Sequence, residues 1–484
     1  MDDNSKLDRR RRVGVLLICS MSLFMVGIDV TAMNVALPAI GSDLSADLSW
    51  LQWTVSAYTL TTASFLMFSG SMADRFGRKR TLMTGMTVFS AASLLCSLAP
   101  TVELLVTFRV IQGLGASMLN PVAMSIITNT FTDPRERAQA IGVWGAAFGA
   151  SMALGPVVGG ALVSGLGWTW IFLLNVPLGL TAIALIGRFV PESRAPSPRR
   201  FDPVGQGLVV VMLGSLIYGI IESPNAGWAS PAILIAFAAA ATALVALLGY
   251  ESRREQPLID LRFFRSIPFS SSITISVAAF AAFGGFLFLN TLYLQEVRGL
   301  SPVEAGVTTV PLALMMVVIS PISGRMTGRE GPRKPLAIAG ISIIVSCGML
   351  VGLGAGTSFA WLIVAYLIFG TGLGFVNTPI TNAAVSGMPV AQAGVAAAVA
   401  TTSRQFGQAI GVAIVGAIVV SNVGEQAGVA LAAASRPAWW TLVGLGVLML
   451  GLGILATSRP ALESARRTRA ELDPDGLANR LAVE

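Results

Sequence analysis

The sequence predicts an all-α polytopic membrane protein with fourteen transmembrane helices, parsed as six, two inserted and six. Three observations carry that expectation. Of 484 residues, 54% are hydrophobic and 12% charged, about half the charge of a soluble domain, and mean hydropathy is +0.74. Long apolar runs recur from one end of the chain to the other. All but four of the 32 basic residues fall on one side of the membrane once those runs are counted as spans.

A helix needs about 20 apolar residues to cross a bilayer. The expected spans lie at 13–37, 50–70, 81–99, 103–127, 138–163, 170–190, 204–221, 231–250, 269–294, 304–326, 334–354, 359–387, 394–421 and 438–457. With the N-terminus cytoplasmic, the arginines at 9–12, the cluster at 75–80, Arg135, Arg137, Arg253, Arg254, Arg325, Arg329 and the tail arginines lie inside. Only Arg298 and Arg436 lie outside, and Arg109 and Arg404 fall within spans. One missed or extra helix would invert everything after it and destroy this asymmetry. The basic start followed by an apolar run resembles a signal peptide. That run is too long and holds Asp29, so it reads as a retained first span.

Internal repetition sets the larger plan. Gly70, Arg75 and Gly77 recur at the same spacing as Gly324, Arg329 and Gly331. Gly113-Leu114-Gly115 followed by Asn120-Pro121 recurs as Gly372-Leu373-Gly374 followed by Asn377 and Pro379. Two similar offsets imply duplication of one six-span unit, which suggests a transporter with its cavity between pseudo-symmetric halves. The expected organisation is a cytoplasmic tail 1–12, a first half 13–200, an inserted pair 201–255, a second half 256–457 and a cytoplasmic tail 458–484.

Composition excludes several chemistries. The formal charge of +7 resides in short loops, so it orients the protein in the membrane and does not point to nucleic acid. Cys19, Cys96 and Cys347 all lie within apolar runs and give neither a disulfide framework nor a metal site. There is no histidine, so any proton carrier is a carboxylate. No phosphate-binding G-x-x-x-x-G-K-[ST] motif occurs, which argues against an ATP-driven pump. Ion-translocating respiratory subunits use intramembrane Lys and often His, and these spans hold neither. The loops are too short for a soluble catalytic domain, so the chain does not read as an enzyme, and no cofactor is expected beyond the proton motive force.

Ionisable residues inside a membrane are functional candidates by default. Asp29 lies roughly 12 Å from the outer end of its span and Arg109 roughly 9 Å from the outer end of its own. They read as an ion pair, or as a pair that switches when Asp29 takes a proton. Arg404 lies near mid-membrane, with Asn377 and Asn382 as partners, and reads foremost as a clamp between helices. Glu222 reads as solvated and Glu304 as an edge residue. Gly145, Gly149, Gly155, Gly159 and Gly160 strip side chains from one helix, where Pro156 adds a kink, which suits a gate or close packing. In the 70–80 loop, Gly77 permits a turn, and Asp74 suits the positive end of a neighbouring helix amid Arg75, Arg78, Lys79 and Arg80. Cavity candidates are Asn34, Trp53, Tyr58, Gln112, Trp144, Phe148, Phe283, Phe286 and Asn290. With Arg109 and Arg404 opposing Asp29, the cavity charge does not indicate a cationic substrate.

These residues together resemble the fourteen-span drug:proton antiporter branch of the major facilitator superfamily, over almost the whole chain. Residues 70–80 match the loop pattern G-x-x-x-D-R-x-G-R-[RK]. Asp29, Thr31, Asn34 and Pro38 fit D-x-T-x-x-N-x-A-L-P. Trp53 and Tyr58 fit W-x-x-x-x-Y, and Arg109, Gln112 and Gly113 fit R-x-x-Q-G. Gly155-Pro156 with Gly159-Gly160 is similar to the antiporter signature of span 5. Asn175-Val176-Pro177 and Ser403-Arg404-Gln405 with Gly407 are also typical. The resemblance implies a major facilitator fold and proton coupling by Asp29 assisted by Arg109. It also implies a cytoplasmic gate at Gly70, Asp74, Arg75, Gly77 and Arg78, and a gating helix at Gly155, Pro156, Gly159 and Gly160. Thr169 stands where the branch often has Arg, Gly328 stands where Asp74 would repeat, and span 10 has no internal carboxylate, which weakens a dication substrate.

The expected activity is proton-coupled export of small amphipathic or hydrophobic compounds by a monomer in the bacterial inner membrane, with both termini cytoplasmic. Export of one dedicated product, such as a lipid, antibiotic or metabolite, is the alternative. Uptake by symport is disfavoured by the Gly155-Pro156 pattern.

Overall fold

A computed structural model describes residues 9–195, 201–254, 257, 259–385, 388, 392–423 and 429–472. The outermost parts of both tails (1–8 and 473–484) and the linker at 196–200 lie outside the described residues. Among the described residues all regular structure is helical. That is what a bilayer dictates, because a helix satisfies its backbone polar groups within one segment.

The first half comprises α1 (Arg9–Asp43), α2 (Leu48–Phe76), α3 (Arg78–Ser97), α4 (Val102–Thr130), α5 (Pro134–Leu166) and α6 (Thr169–Phe189). The pair is α7 (Pro203–Ala226) and α8 (Pro231–Glu251). The second half begins with α9 (Ile267–Leu292), α10 (Pro302–Thr308), α11 (Val310–Glu330), α12 (Arg333–Leu350) and α13 (Phe359–Gly374). It continues with α14 (Asn377–Val385), α15 (Ala393–Val423), the short α16 (Val429–Ala434) and α17 (Arg436–Leu455), and α18 (Arg459–Leu472) follows.

Each of the fourteen expected spans falls mostly on helix, with residues 386 and 387 of the span at 359–387 outside the described residues. The span at 304–326 is divided between α10 and α11 at Thr309, and that at 359–387 between α13 and α14 at Phe375 and Val376. Twelve helices among the described residues are long and apolar enough to cross a membrane. Helices α2 and α3 are outside that set although they contain 29 and 20 residues. The reason is side-chain polarity. Gln52, Thr54, Ser56, Thr59, Thr62, Ser64 and Ser69 of α2 are all buried, and its neighbours α4, α7 and α15 cover them.

Local chemistry sets the helix starts. Asp47, Thr101, Asp133, Asp202 and Ser358 each accept a hydrogen bond from the first turn of the helix they precede. Ser301 and Glu304 form a capping box at α10, so Glu304 is occupied as a cap.

The inserted pair sits on the seam, with α7 against both α2 and α15. Helix α5 faces α1 on one side and α10 and α11 on the other. The largest buried apolar cluster joins the halves, from Met33, Leu37 and Ile40 of α1 to Phe283, Phe286 and Leu289 of α9. Two hydrogen bonds involving side chains cross between the halves among the described residues. Gln295 Nε2 donates to the Val35 carbonyl at 2.8 Å, and the Val303 N–H donates to Ser164 Oγ at 3.3 Å. Both lie at the end away from the basic loops, so this conformation is tied together there.

Glycine makes that seam possible. A Cβ on Gly306 would fall within contact distance of the Pro156 carbonyl, and one on Gly160 would meet the backbone of Pro302 and Val303. Gly306→Ala should therefore force backbone apart, at about 1–3 kcal/mol. Thermal unfolding of the purified protein checks this against Gly348→Ala, whose added Cβ meets nothing within 4 Å. Equal melting temperatures would show that the seam yields without strain.

Candidate functional site

Five helices build one polar cluster in the first half. Asp29 is 0% exposed and Arg109 is 1% exposed, and Arg109 Nη1 donates to Asp29 Oδ2 at 2.7 Å. Two side-chain amides complete the carboxylate: Gln112 Nε2 at 2.9 Å and Asn175 Nδ2 at 3.0 Å both donate to Oδ1. Arg109 also donates to Gln112 Oε1 at 2.8 Å and, through Nε, to the Thr54 carbonyl at 3.1 Å. Ser93 Oγ accepts from Gln112 at 3.2 Å and Asn175 at 3.1 Å while donating to the Phe172 carbonyl at 3.0 Å. The guanidinium lies 4.2 Å from the centre of the Tyr58 ring, a cation–π contact strengthened by exclusion of water. Tyr58 Oη is buried and has no hydrogen-bond partner.

Sequence spacing explains the convergence. Arg109 and Gln112 are three residues apart and so share one face of α4. Asp29 lies deep within α1 and Asn175 within α6, both in largely apolar runs. Such a cluster holds a fixed charge pair that cannot be wetted from either end without helix movement. Asp29 is the one carboxylate with no exposed surface among the described residues.

The structure thus brings Asp29, Arg109, Tyr58 and Gln112 together. Tyr58 and Gln112, expected on a cavity wall, belong to the charge cluster. Asn175 had a visible signal, a polar residue in an apolar span, but its partner was not legible. The carbonyl of Thr54 and the hydroxyl of Ser93 give no sequence signal at all.

Other expected cavity residues are placed elsewhere. Asn34 is buried and donates to the Val30 carbonyl at 2.9 Å. Trp53 turns towards the inserted pair, where its Nε1 donates to Glu222 Oε1 at 2.6 Å and its ring packs near Tyr218. Glu222, expected to be solvated, is therefore part-buried and engaged. Trp144 and Phe148 are half-buried along α5. Phe283 packs edge-on to Phe280. Phe286 stacks on Phe369 with ring centres 4.1 Å apart and also meets Tyr366 and Trp439. Asn290 accepts a hydrogen bond from the Tyr366 hydroxyl. In this conformation Phe286 and Asn290 lie inside the second half.

The 70–80 loop is organised by a residue the sequence did not single out. Asp74, near the end of α2, pairs at 3.1 Å with Arg78, the first residue of α3, but its carboxylate accepts no backbone N–H of that helix. Glu192 caps the helix instead: it accepts from the N–H groups of Lys79 and Arg80 at 3.0 and 3.3 Å, at the start of α3. Gly77 has φ of 113° and a Cβ there would meet the Glu192 carboxylate, so the turn requires glycine. Gly70 has open space around it and Arg75 is exposed. On α5, Gly155 and Gly159 lie against Thr31 and Ala32 of α1, while Pro156 and Gly160 face α10. Arg404 reaches Asn377 and Thr381 of α14 and Thr401 of its own helix. No group of metal-ligating side chains occurs among the described residues.

Comparisons with known proteins agree with this architecture. The family model for the Major Facilitator Superfamily matches residues 19–412. The chain is 33% identical over 412 residues to the multidrug resistance protein Stp of Mycobacterium tuberculosis, covering 85% of this chain and 76% of that protein. It is 36% identical over 418 residues to the tetracenomycin C resistance and export protein of Streptomyces glaucescens, covering 86% and 78%. Among solved structures, the peptide transporter POT in complex with sulfate superposes with a TM-score of 0.67 at 17% identity, covering 94% of each chain. The D-xylose-proton symporter superposes with a TM-score of 0.62 at 13% identity, covering 93% of this chain and 97% of that one. The chain belongs to the Major Facilitator Superfamily, and it is a multi-pass membrane transporter rather than an enzyme.

Proposed function

We propose that this chain is a proton-coupled antiporter that exports small amphipathic or hydrophobic compounds, drugs and antibiotics among them, by alternating access. The observation that carries the reading is the wholly buried Asp29, held by Arg109, Gln112 and Asn175. Relatives named as multidrug resistance and antibiotic export proteins support the substrate class. All fourteen expected spans cross the membrane in this reading, α2 and α3 included, because their polar faces are covered by neighbouring helices. The basic loops and both termini face the cytoplasm of a bacterial inner membrane, and the working unit is a monomer.

The geometry supplies a coupling route. Protonation of Asp29 cancels the ion pair and places an O–H against three donors, so the proton cannot be taken up without rearrangement. Arg109 keeps the Thr54 carbonyl, the Gln112 carbonyl oxygen and the Tyr58 ring when it lets go. Helix α1, which carries Asp29, also packs on α5, whose other side meets α10 and α11 across the seam. A shift of α1 on protonation is thereby passed to the contact between the halves. Substrate leaves to the outside as Asp29 takes up a proton there, and release of that proton to the cytoplasm completes the exchange.

The test is efflux from dye-loaded right-side-out membrane vesicles under an imposed pH gradient. Wild-type protein should move dye against its concentration gradient when protons flow the other way, and should stop when an ionophore collapses the gradient. Movement that persists unchanged after collapse would overturn proton coupling. Relatives named for single antibiotics favour a second reading, export of one dedicated compound, in which common dyes are not moved and one antibiotic is.

A further inference from the structure

We propose that Arg404 is the anchor for a carboxylate on the transported molecule, so that aromatic and aliphatic acids are preferred over their neutral counterparts. This rests on the export reading above and adds a substrate class to it. The argument begins with charge. Arg404 is eleven residues after Ala393 at the start of α15, roughly 16 Å along the helix and so close to the middle of a hydrocarbon layer about 30 Å thick. A guanidinium at that depth is costly unless it is compensated or faces water.

Among the described residues no carboxylate pairs with it. Its contacts are neutral acceptors: Thr401 Oγ1 at 2.7 Å, with longer approaches to Thr381 Oγ1 at 3.4 Å and Asn377 Oδ1 at 3.5 Å. The other intramembrane guanidinium differs in kind, since Arg109 is neutralised by Asp29. The positive charge left over within the spans is therefore that of Arg404.

The surroundings suit a ligand better than a sealed clamp. Thr401, Arg404 and Gln408 fall at helical spacing on one face of α15, and Gln408 Nε2 is buried without any hydrogen-bond partner. Asn377, Thr381, Thr401, Arg404 and Gln405 are each only partly buried, and Asn382 is exposed. This is a polar, part-open wall at mid-helix depth, with one unpartnered amide N–H buried a turn further along. A carboxylate fits it, because a guanidinium can give two parallel N–H donors to its two oxygens.

The experiment is direct binding of 1-naphthoate, ionised at neutral pH, and its neutral analogue 1-naphthamide. The full chain is held in nanodiscs of zwitterionic lipid, so that no anionic headgroup competes. Wild-type protein should bind the carboxylate about tenfold or more tightly than the amide. Arg404→Gln should abolish that preference while keeping the amide's affinity, and Arg404→Lys should retain part of it. Equal affinities in the wild type, or a preference that survives Arg404→Gln, would overturn the proposal. Loss of both ligands in Arg404→Gln with a lowered melting temperature would mark Arg404 as a structural clamp and overturn it equally. No gradient is needed, so a protein that prefers the carboxylate yet fails the gradient-driven efflux test contradicts proton coupling alone.

Discussion

Asp29→Asn should reduce gradient-driven efflux to the passive leak while leaving the dye bound. The amide keeps an oxygen to accept from Gln112 and Asn175, which both address Oδ1 in the native site. It removes the one atom pair that exchanges a proton. Dye efflux from vesicles, with dye binding measured separately on purified protein, checks this. Uncoupled downhill movement can survive, but uphill export cannot. Wild-type rates of uphill export in Asp29→Asn would place the coupling group elsewhere.

Arg109→Gln should be among the most destabilising single substitutions in the first half. It leaves Asp29 with 0% exposure and no counter-charge. Breaking one side of a buried pair costs about 3–5 kcal/mol, because the remaining charge stays desolvated. The double variant Asp29→Asn/Arg109→Gln removes both charges and should recover at least half of that loss. Melting temperatures of the two single variants and the double variant, in one detergent, form the cycle. Additive losses would mean that the two residues do not act on each other, contrary to the 2.7 Å contact. Recovered stability with transport still absent would separate the structural part of the pair from its part in coupling.

The sequence made the charged core legible for a simple reason. Asp29 and Arg109 are ions in apolar runs, and depth along each helix put them at one level. Their direct contact follows from that depth and from the packing of α1 on α4. The supporting donors were harder to see. Asn175 is conspicuous in an apolar helix, but nothing in α6 says which of its faces meets α1. Ser93 is one serine among many, and the Thr54 carbonyl belongs to no side chain.

Aromatic residues were the least informative. Helical spacing does not distinguish a ring on a cavity wall from one in a core. Phe286, stacked on Phe369, and Trp53, bonded to Glu222, show how neighbours decide the matter. The 70–80 loop displays the same limit for charge. Asp74 was the visible carboxylate, yet Glu192, over a hundred residues later, caps α3. The span count depended on polarity as well as length. Helices α2 and α3 are long but less apolar than the other twelve, so the distribution of basic loops carries more of the argument for them.

Substrate-induced proton release by the purified protein tests the central claim most directly. In weakly buffered solution with a pH indicator, adding a transported dye to wild-type protein should release a proton. Asp29→Asn should bind the same dye and release none. Proton release of wild-type size from Asp29→Asn would contradict Asp29 as the proton carrier.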